Sequence, residues 1–345
     1  MSIDSETRER IVVIGAGAWG TTLAALLAHR HRNVTLVTQT ADQAEEIASL
    51  RENRRYLPGV AVPATVHVTH ARQEDLELAT VVLIVVPAQR VREACAALRG
   101  RLERSTLVIS CAKGLELGSL LRMSQVVVDA AGALESQVCV LSGPNLAGEI
   151  ARGLPASTVV ACSDERSARR AQSILQSATL RVYTSDDVIG VELGGALKNV
   201  IAIGAGVADG MGLGQNAKAA FIARGLAEIM RVGVAAGANP LTFGGLSGLG
   251  DLIATCESPL SRNRSFGERL GRGASLAEAS GATGHVIEGL TTAQAAVDLA
   301  ARYGVDVPIC AVVVRALRDQ LSLSEAVGEL MARDLRPELD RGTLR

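Results

Sequence analysis

Lys198 stands in the stretch Glu192-Leu193-Gly194-Gly195-Ala196-Leu197-Lys198-Asn199-Val200-Ile201, among small and apolar residues, with Gly194 and Gly195 one helical turn earlier on its own face. Loss of hydration there would draw a lysine from a pKa of about 10.4 toward neutrality, which is what a proton-transferring amine needs. A lysine whose stem lies on a buried helix while its head reaches water fits the same stretch equally well. A second lysine, Lys113 in Ser110-Cys111-Ala112-Lys113-Gly114-Leu115-Glu116, follows a strand-like run. The C-terminal edge of parallel strands is where open α/β sheets bind ligands, so Lys113 can meet a phosphate or a polarised carbonyl there. A solvated loop lysine is the plainer alternative. The turn Ser142-Gly143-Pro144-Asn145-Leu146-Ala147 follows Val140-Leu141 in the same way and brings backbone and an amide to that edge.

Further on, Gly248-Leu249-Gly250-Asp251-Leu252-Ile253-Ala254-Thr255-Cys256 spaces Asp251 and Thr255 four apart, on one face if the segment is helical. A carboxylate beside a hydroxyl suits a polyol substrate or the orientation of a lysine; a helix cap followed by an ordinary threonine reads the same way. Ser261-Arg262-Asn263-Arg264 follows Ser258-Pro259-Leu260 at a predicted helix start. Hydroxyl, guanidinium and amide in tandem make a phosphate site, because arginine binds phosphate bidentately and the helix end adds N–H donors. A basic surface turn is the alternative.

The elements that must position these groups begin with Ile11-Val12-Val13-Ile14, which runs into Gly15-Ala16-Gly17-Ala18-Trp19-Gly20 and the apolar helix from Thr21 to Leu27. Strand, G-x-G-x-x-G and helix in that order form a dinucleotide fingerprint: Gly15 makes the tight turn, Gly17 lets a pyrophosphate approach the backbone, and Gly20 packs helix against strand. An acidic residue about 20 positions on would indicate NAD, and an arginine NADP. Here the second strand ends at Thr38-Gln39-Thr40, which offers neither, and Asp42 falls on the next helix.

Strand-like runs at Ile11 to Ile14, Val34 to Val37, Val81 to Val86, Leu107 to Ile109, Val138 to Leu141, Thr158 to Ala161 and Leu180 to Tyr183 alternate with helical stretches. That alternation predicts an α/β domain with a doubly wound parallel sheet. After Tyr183 apolar residues fall only at helical spacing, which predicts an all-helical second domain; the boundary is placed at 188/189, giving domains 1–188 and 189–345. Lys+Arg 35 against Asp+Glu 36 gives a net charge of −1, which removes nucleic acid as the expected partner. One Trp, three Tyr and three Phe are too few for a base-stacking platform. The longest unbroken apolar run is six residues, short of a membrane span, and the polar start Met1 to Arg10 has no leader-like stretch, so a soluble, cytoplasmic protein without a membrane partner is expected. The six cysteines stand apart, without metal-site pairs, and are expected to be reduced core residues; no metal is expected.

Taken together, Gly15 to Gly20, Tyr56-Leu57-Pro58-Gly59, Cys111 to Gly114, Ser142-Gly143-Pro144, Glu192 to Val200, Gly245 to Cys256 and Ser261-Arg262-Asn263 closely resemble, in order, the bacterial NAD(P)-dependent glycerol-3-phosphate dehydrogenases. The resemblance runs from about residue 10 to about residue 320. It implies a Rossmann domain followed by a helical domain with the active site in the cleft between them. It also implies reversible hydride transfer from NADH or NADPH to dihydroxyacetone phosphate, giving sn-glycerol 3-phosphate for phospholipid synthesis. Lys198 falls on the family's proton-transfer lysine. Lys113, Gly143, Asn145, Asn199, Asp251, Thr255, Ser261, Arg262 and Asn263 fall on its substrate contacts. Gly15, Gly17, Ala18, Trp19, Gly20, Tyr56, Lys113, Ala147, Arg262, Val286 and Glu288 fall on its cofactor contacts, and a homodimer is compatible with it.

Two positions depart from the family pattern. Gln39 and Thr40 replace the arginine often found at the end of the second strand, and Asn145 replaces a frequent serine. A β-hydroxyacid dehydrogenase would share the fingerprint and the lysine but needs a carboxylate-binding group instead of Ser261-Arg262-Asn263. A nucleotide-sensing scaffold would have no reason to keep Lys198, Asp251 and Arg262 together.

Overall fold

The computed structural model describes residues 9–70, 76, 78–281, 286–334, 337 and 338. The polar N-terminal stretch up to Arg8 therefore lies outside the described residues. The chain separates into two compact units, Met1–Lys113 with Leu121–Val188, and Gly114–Leu120 with Ile189–Arg345.

The first unit contains β1 (Arg10–Ile14), α1 (Ala18–Ala28), β2 (Asn33–Thr38), α2 (Ala41–Leu50), β3 (Glu52–Asn53), β4 (Leu57–Ala61), β5 (Val66–His70), β6 (Val81–Ile84), α3 (Val91–Ala96), β7 (Leu107–Ser110), α4 (Met123–Ala131), β8 (Val138–Ser142), α5 (Ala147–Ala151), β9 (Ala156–Ala161), α6 (Glu165–Leu175) and β10 (Leu180–Ser185). Eight strands form one sheet in the order β10-β9-β8-β7-β6-β1-β2-β5. Ile11 and Val13 bury on one face with α1 and α6 residues such as Leu23, Leu27, Ala171 and Leu175. Val12, Val82 and Ile84 bury on the other with Val91 and Cys95 of α3 and Val126 and Val127 of α4. Because helices cover both faces, the strands read as continuous apolar runs, and the α/β, parallel-dominated fold expected from them is the fold observed.

Three features differ from the sequence reading. β5 joins the sheet edge beside β2, although its Val66-His67-Val68-Thr69-His70 is half exposed and carries too few apolar residues to stand out as a run. β3 and β4 form a small antiparallel hairpin that was not expected. β9 pairs antiparallel with β8. The connection between them holds one five-residue helix, spanning about 7.5 Å against roughly 16 Å for the five-residue β8, too short to carry the chain back along the sheet.

The second unit contains α7 (Val188–Gly210), α8 (Gln215–Ala235), α9 (Asp251–Glu257), α10 (Arg262–Gly271), α11 (Leu276–Gly281), α12 (Glu288–Arg302), α13 (Pro308–Leu317) and α14 (Leu323–Met331), with no strand after β10 among the described residues. The segment Gly114–Leu120 packs here, with Leu115 fully buried in the helical core. By length and composition α7 could cross a membrane, a property the run length missed because Glu192, Lys198 and Asn199 interrupt it. It is instead the core helix, surrounded by Ile222, Ile229, Phe243, Leu252, Phe266 and Leu299. All six cysteines are buried free thiols, as expected.

α7 and α10 cross with their backbones in contact. A Cβ on Gly206 would lie 2.0 Å from the Arg264 carbonyl oxygen and one on Gly210 2.2 Å from that of Glu268. From the other side, a Cβ on Gly267 would lie 2.0 Å from the Ile203 oxygen and one on Gly271 2.5 Å from that of Val207. Glycines four apart on both helices thus set α10, with Arg262 and Asn263, against the helix that carries Lys198.

Candidate active site

The fingerprint occupies the end of β1 and the start of α1. Gly15 has φ +113°, and a Cβ there would meet the Val85 carbonyl oxygen at 2.5 Å, so only glycine makes this turn. Gly20 is tighter still: its Cβ would lie 1.8 Å from the Gly15 oxygen. Gly17 is the opposite case, with open space where a side chain would begin. It precedes α1, whose first N–H groups have no side-chain cap and no acidic residue in the first turn. Open space over uncapped N–H donors at a helix N-terminus fits a pyrophosphate. The buried Trp19 Nε1 has no hydrogen-bond partner among the described residues, which leaves a donor available beside that cradle.

Two residues outside the motif hold the cradle in shape. The buried Asn53 donates through Nδ2 to the Ala16 oxygen (2.9 Å) and to Thr21 Oγ1 (2.7 Å), and Gln43 Nε2 donates to the same Ala16 oxygen (3.0 Å). Tyr56 follows that hairpin turn, its ring 5.2 Å under the Arg55 guanidinium. Ala147 opens α5, and its carbonyl accepts from Thr22 of α1 at 3.2 Å. At the end of β2, Thr40 caps α2 by accepting from Gln43 N–H at 3.2 Å, and Asp42 lies in the first turn of that helix. Of the two uncharged candidates for reading the 2′ position, the Thr40 oxygen is thus already engaged, while Gln39 is exposed. His70 ends β5 opposite Thr38, Nδ1 3.4 Å from the Thr38 oxygen, a neighbour that the sequence reading missed with its strand.

At the C-terminal edge of β7 and β8, Lys113 Nζ donates to the Gly143 oxygen at 2.8 Å. Thr158, on β9, which runs antiparallel to β8, fixes the turn that follows β8. Its hydroxyl donates to the Ser142 oxygen (2.9 Å) and accepts from Asn145 Nδ2 (3.1 Å). The Asn145 Oδ1 is buried without a partner among the described residues.

In the second unit α7 buries Lys198 (6% exposed) against α9. Its Nζ donates to the Asp251 carboxylate and to Thr255 Oγ1 (2.7 Å), and the Thr255 hydroxyl donates to the Asp251 carbonyl oxygen at 2.6 Å. Asp251 and Thr255 are therefore one turn apart on a single helix, as their spacing predicts, and Asp251 pairs with the lysine rather than capping the helix. The lysine is thus enclosed, as its sequence context predicts, and is paired with a carboxylate that the local sequence does not reveal. Next along α7, Asn199 Oδ1 accepts from Asn263 Nδ2 (2.9 Å), and Asn263 Oδ1 accepts from Gly289 N–H (2.9 Å). Ser261 caps α10 by accepting from Arg264 N–H at 3.3 Å. Ser261 and Asn263 thus shape the start of α10. Arg262 is exposed there, with Nη1 donating to the Val286 oxygen at 3.1 Å. Crowding lowers the pKa of its guanidinium from the ordinary value while the nearby Glu288 carboxylate opposes this, and an arginine stays charged throughout.

Both halves of the chain match models of one family. Residues 10–168 match the N-terminal model, and residues 187–328 the C-terminal model, of NAD-dependent glycerol-3-phosphate dehydrogenase. The chain is 49% identical over 328 residues, 95% of its length and 98% of the relative's, to "Glycerol-3-phosphate dehydrogenase [NAD(P)+] 2" of Mycobacterium tuberculosis. It is 47% identical over 95% of its length to the enzyme of that name from Streptomyces griseus, of which 98% is covered. The crystal structure of glycerol-3-phosphate dehydrogenase from Coxiella burnetii matches with a TM-score of 0.88 at 38% identity, covering 94% of this chain and 98% of that one. The fingerprint at the head of the sheet and the lysine, carboxylate and hydroxyl set in the helical unit are thus found in a chain that belongs to the NAD-dependent glycerol-3-phosphate dehydrogenase family.

Proposed function

We propose that this chain reduces dihydroxyacetone phosphate to sn-glycerol 3-phosphate with NADH or NADPH, reversibly, and so supplies the backbone of glycerophospholipids. The observation that carries this reading is the buried Lys198 held by Asp251 and Thr255. Held over Gly17 at the start of α1, a nicotinamide dinucleotide would supply the hydride for the carbonyl carbon. As that carbon is reduced its oxygen gains negative charge, and the Lys198 ammonium both stabilises the charge and gives up a proton to it. Asp251 and Thr255 hold the ammonium in place. Lys113 and Asn145, steadied by Gly143 and Thr158, add polar contacts to the substrate; Arg262, at the N-terminus of α10, takes its phosphate. Substrate-dependent oxidation of NADH and NADPH, measured with dihydroxyacetone phosphate against 2-keto acids, tests the proposal. Faster turnover of a 2-keto acid would overturn it.

Replacing Arg262 by lysine keeps the charge and removes the bidentate fork. Arg262→Lys is expected to raise KM for dihydroxyacetone phosphate by about tenfold, the factor for about 1.4 kcal/mol, and by more than it changes the Kd for NADH. An unchanged substrate KM would place the phosphate elsewhere.

Cofactor choice follows from the end of β2. Selectivity for NADP comes from an arginine on the 2′-phosphate and selectivity for NAD from a carboxylate on the ribose. With Gln39 uncharged and the Thr40 hydroxyl engaged in its cap, neither device is present at these two positions. The expected kcat/KM values for NADH and NADPH agree within about tenfold, or about 1.4 kcal/mol. Gln39→Arg should move the preference toward NADPH and make it salt-sensitive. A wild-type ratio beyond about a hundredfold would overturn this assignment. Enclosure of α7 within its own unit supports a cytoplasmic enzyme; a homodimer, in keeping with the resemblance, is the assembly we propose.

A further inference from the structure

Lys218, on α8, belongs to none of the groups described so far, yet it is 3% exposed. Its Nζ donates to Asp209 Oδ2 at 3.1 Å and to Glu257 Oε2 at 3.0 Å. The same Asp209 oxygen accepts from Arg264 Nε at 2.9 Å and lies 2.7 Å from Arg264 Nη2, and Arg264 also pairs with Glu268 at 3.0 Å. Each carboxylate and the arginine share a helix with residues of the candidate site. Asp209 lies on α7 with Lys198, Glu257 ends α9 two residues after Thr255, and Arg264 follows Arg262 and Asn263 on α10.

The turn Ser258–Ser261, which joins α9 to α10 and delivers Arg262, is therefore fixed at both ends by one ammonium: directly at Glu257, and through Asp209 at Arg264. The glycine crossing already fixes α10 against α7. Lys218 ties the far end of α9 to that pair, and Ser265 of α10 donates to the Pro259 carbonyl in the turn itself at 3.0 Å. A buried ammonium facing two carboxylates is strongly compensated, and removing it leaves Asp209, whose side chain is 15% exposed, with one partner fewer.

We propose that Lys218 is a positioning residue for the substrate's phosphate end, acting through the α9–α10 turn on Arg262. The proposal rests on the reading of Arg262 as the phosphate anchor, and the experiment separates the two. Lys218→Met, Lys218→Arg and Arg262→Ala are made singly, with the Lys218→Met/Arg262→Ala double variant. Each is measured for kcat, KM for dihydroxyacetone phosphate and the Kd for NADH by its fluorescence.

Lys218→Met is expected to raise the substrate KM about tenfold, with kcat within about threefold and a smaller change in the NADH Kd, and Lys218→Arg to recover most of the loss. In the Arg262→Ala background the added effect of Lys218→Met should shrink to about twofold or less, because the group it positions is gone. An equal factor in both backgrounds, a loss in kcat alone, or a matching loss of NADH affinity overturns the proposal, since a merely structural role would produce any of these. A normal KM in Arg262→Ala overturns the anchor reading, and the proposal with it. A normal KM in Lys218→Met beside an impaired Arg262→Ala overturns the proposal alone. If Lys218→Met does not fold, Glu257→Gln cuts the same tie at its half-exposed end. It should raise KM about threefold and lose that effect in the Arg262→Ala background; no rise in KM overturns the proposal.

Discussion

Lys198→Ala is expected to lower kcat by about 10² to 10⁴, the usual scale for a positioned general acid, while the Kd for NADH stays within about twofold. The reason for the split lies in which group each residue serves. The fingerprint and its supports Asn53 and Gln43 belong to the first unit and serve the cofactor, whereas Lys198 belongs to the second and, in the proposed mechanism, serves the carbonyl oxygen. The substitution also has a structural cost. Asp251 is 1% exposed, and the substitution takes the ammonium away from its buried carboxylate; breaking a buried ion pair in this way costs about 3–5 kcal/mol. Loss of turnover in the single variant is therefore ambiguous, and the double variant Lys198→Ala/Asp251→Asn resolves it. Removing the charge along with its partner should restore most of the thermal stability and none of the turnover. Turnover that returns together with stability, or a Lys198→Ala enzyme with more than half of wild-type activity, would remove the lysine from the chemistry.

That the lysine could be picked out from sequence, and its partners less well, has a physical reason. Lys198 sits in a run of glycine, alanine and apolar residues, so the chain states locally that its amine will be desolvated. Its salt bridge to Asp251 joins residues 53 apart, a separation that no local pattern encodes. The same distinction holds across the fold. Strands in the middle of the sheet announce themselves as β-branched runs, and all seven strands that the sequence predicts are present, the edge strand β10 included, whose buried Leu180 and Val182 alternate with exposed residues. The other edge strand, β5, does not announce itself, because only Val66 of it is fully buried and its two histidines and threonine break the apolar pattern. The reversal of β9 depends on the length of the connecting helix, a comparison of two distances rather than a pattern of residue types.

Some of what was missed did leave a signal. Thr40-Ala41-Asp42-Gln43 has the spacing of a helix cap, which already argues that the Thr40 oxygen is taken. The equal spacing of Gly206 with Gly210 and of Gly267 with Gly271 is what two helices need to cross at backbone contact, although each pair alone could equally mark a weak helix. The Lys218 network left none: its members look like solvated charges until the helices that bear them are assembled.

The second and third glycines of the fingerprint should fail in opposite ways. Gly17 has φ −79° and ψ −174°, a conformation any residue adopts, and nothing in the protein lies within 4 Å of where its Cβ would be. Alanine in place of glycine at this cap position costs a few tenths of a kcal/mol beyond the ordinary preference, so Gly17→Ala should melt within about 1 °C of the wild type in the absence of cofactor. Its methyl group instead fills the space through which the pyrophosphate reaches the α1 N–H groups. Loss of that approach should weaken NADH by at least about thirtyfold, or about 2 kcal/mol. Gly20→Ala puts a carbon 1.8 Å from the Gly15 oxygen and must push α1 off the sheet. Overpacking of this kind costs about 1–3 kcal/mol or more, so the thermal midpoint of the cofactor-free protein should fall by roughly 5 °C or more. Differential scanning calorimetry without cofactor, paired with NADH titration, reads both. A Gly17→Ala protein that binds NADH normally would mean that the pyrophosphate does not lie over Gly17, and the motif would be only a turn that needs small residues. A Gly20→Ala protein that melts like the wild type would mean that helix and strand do not meet there, and the fingerprint would lose the close packing that gives its third glycine a reason.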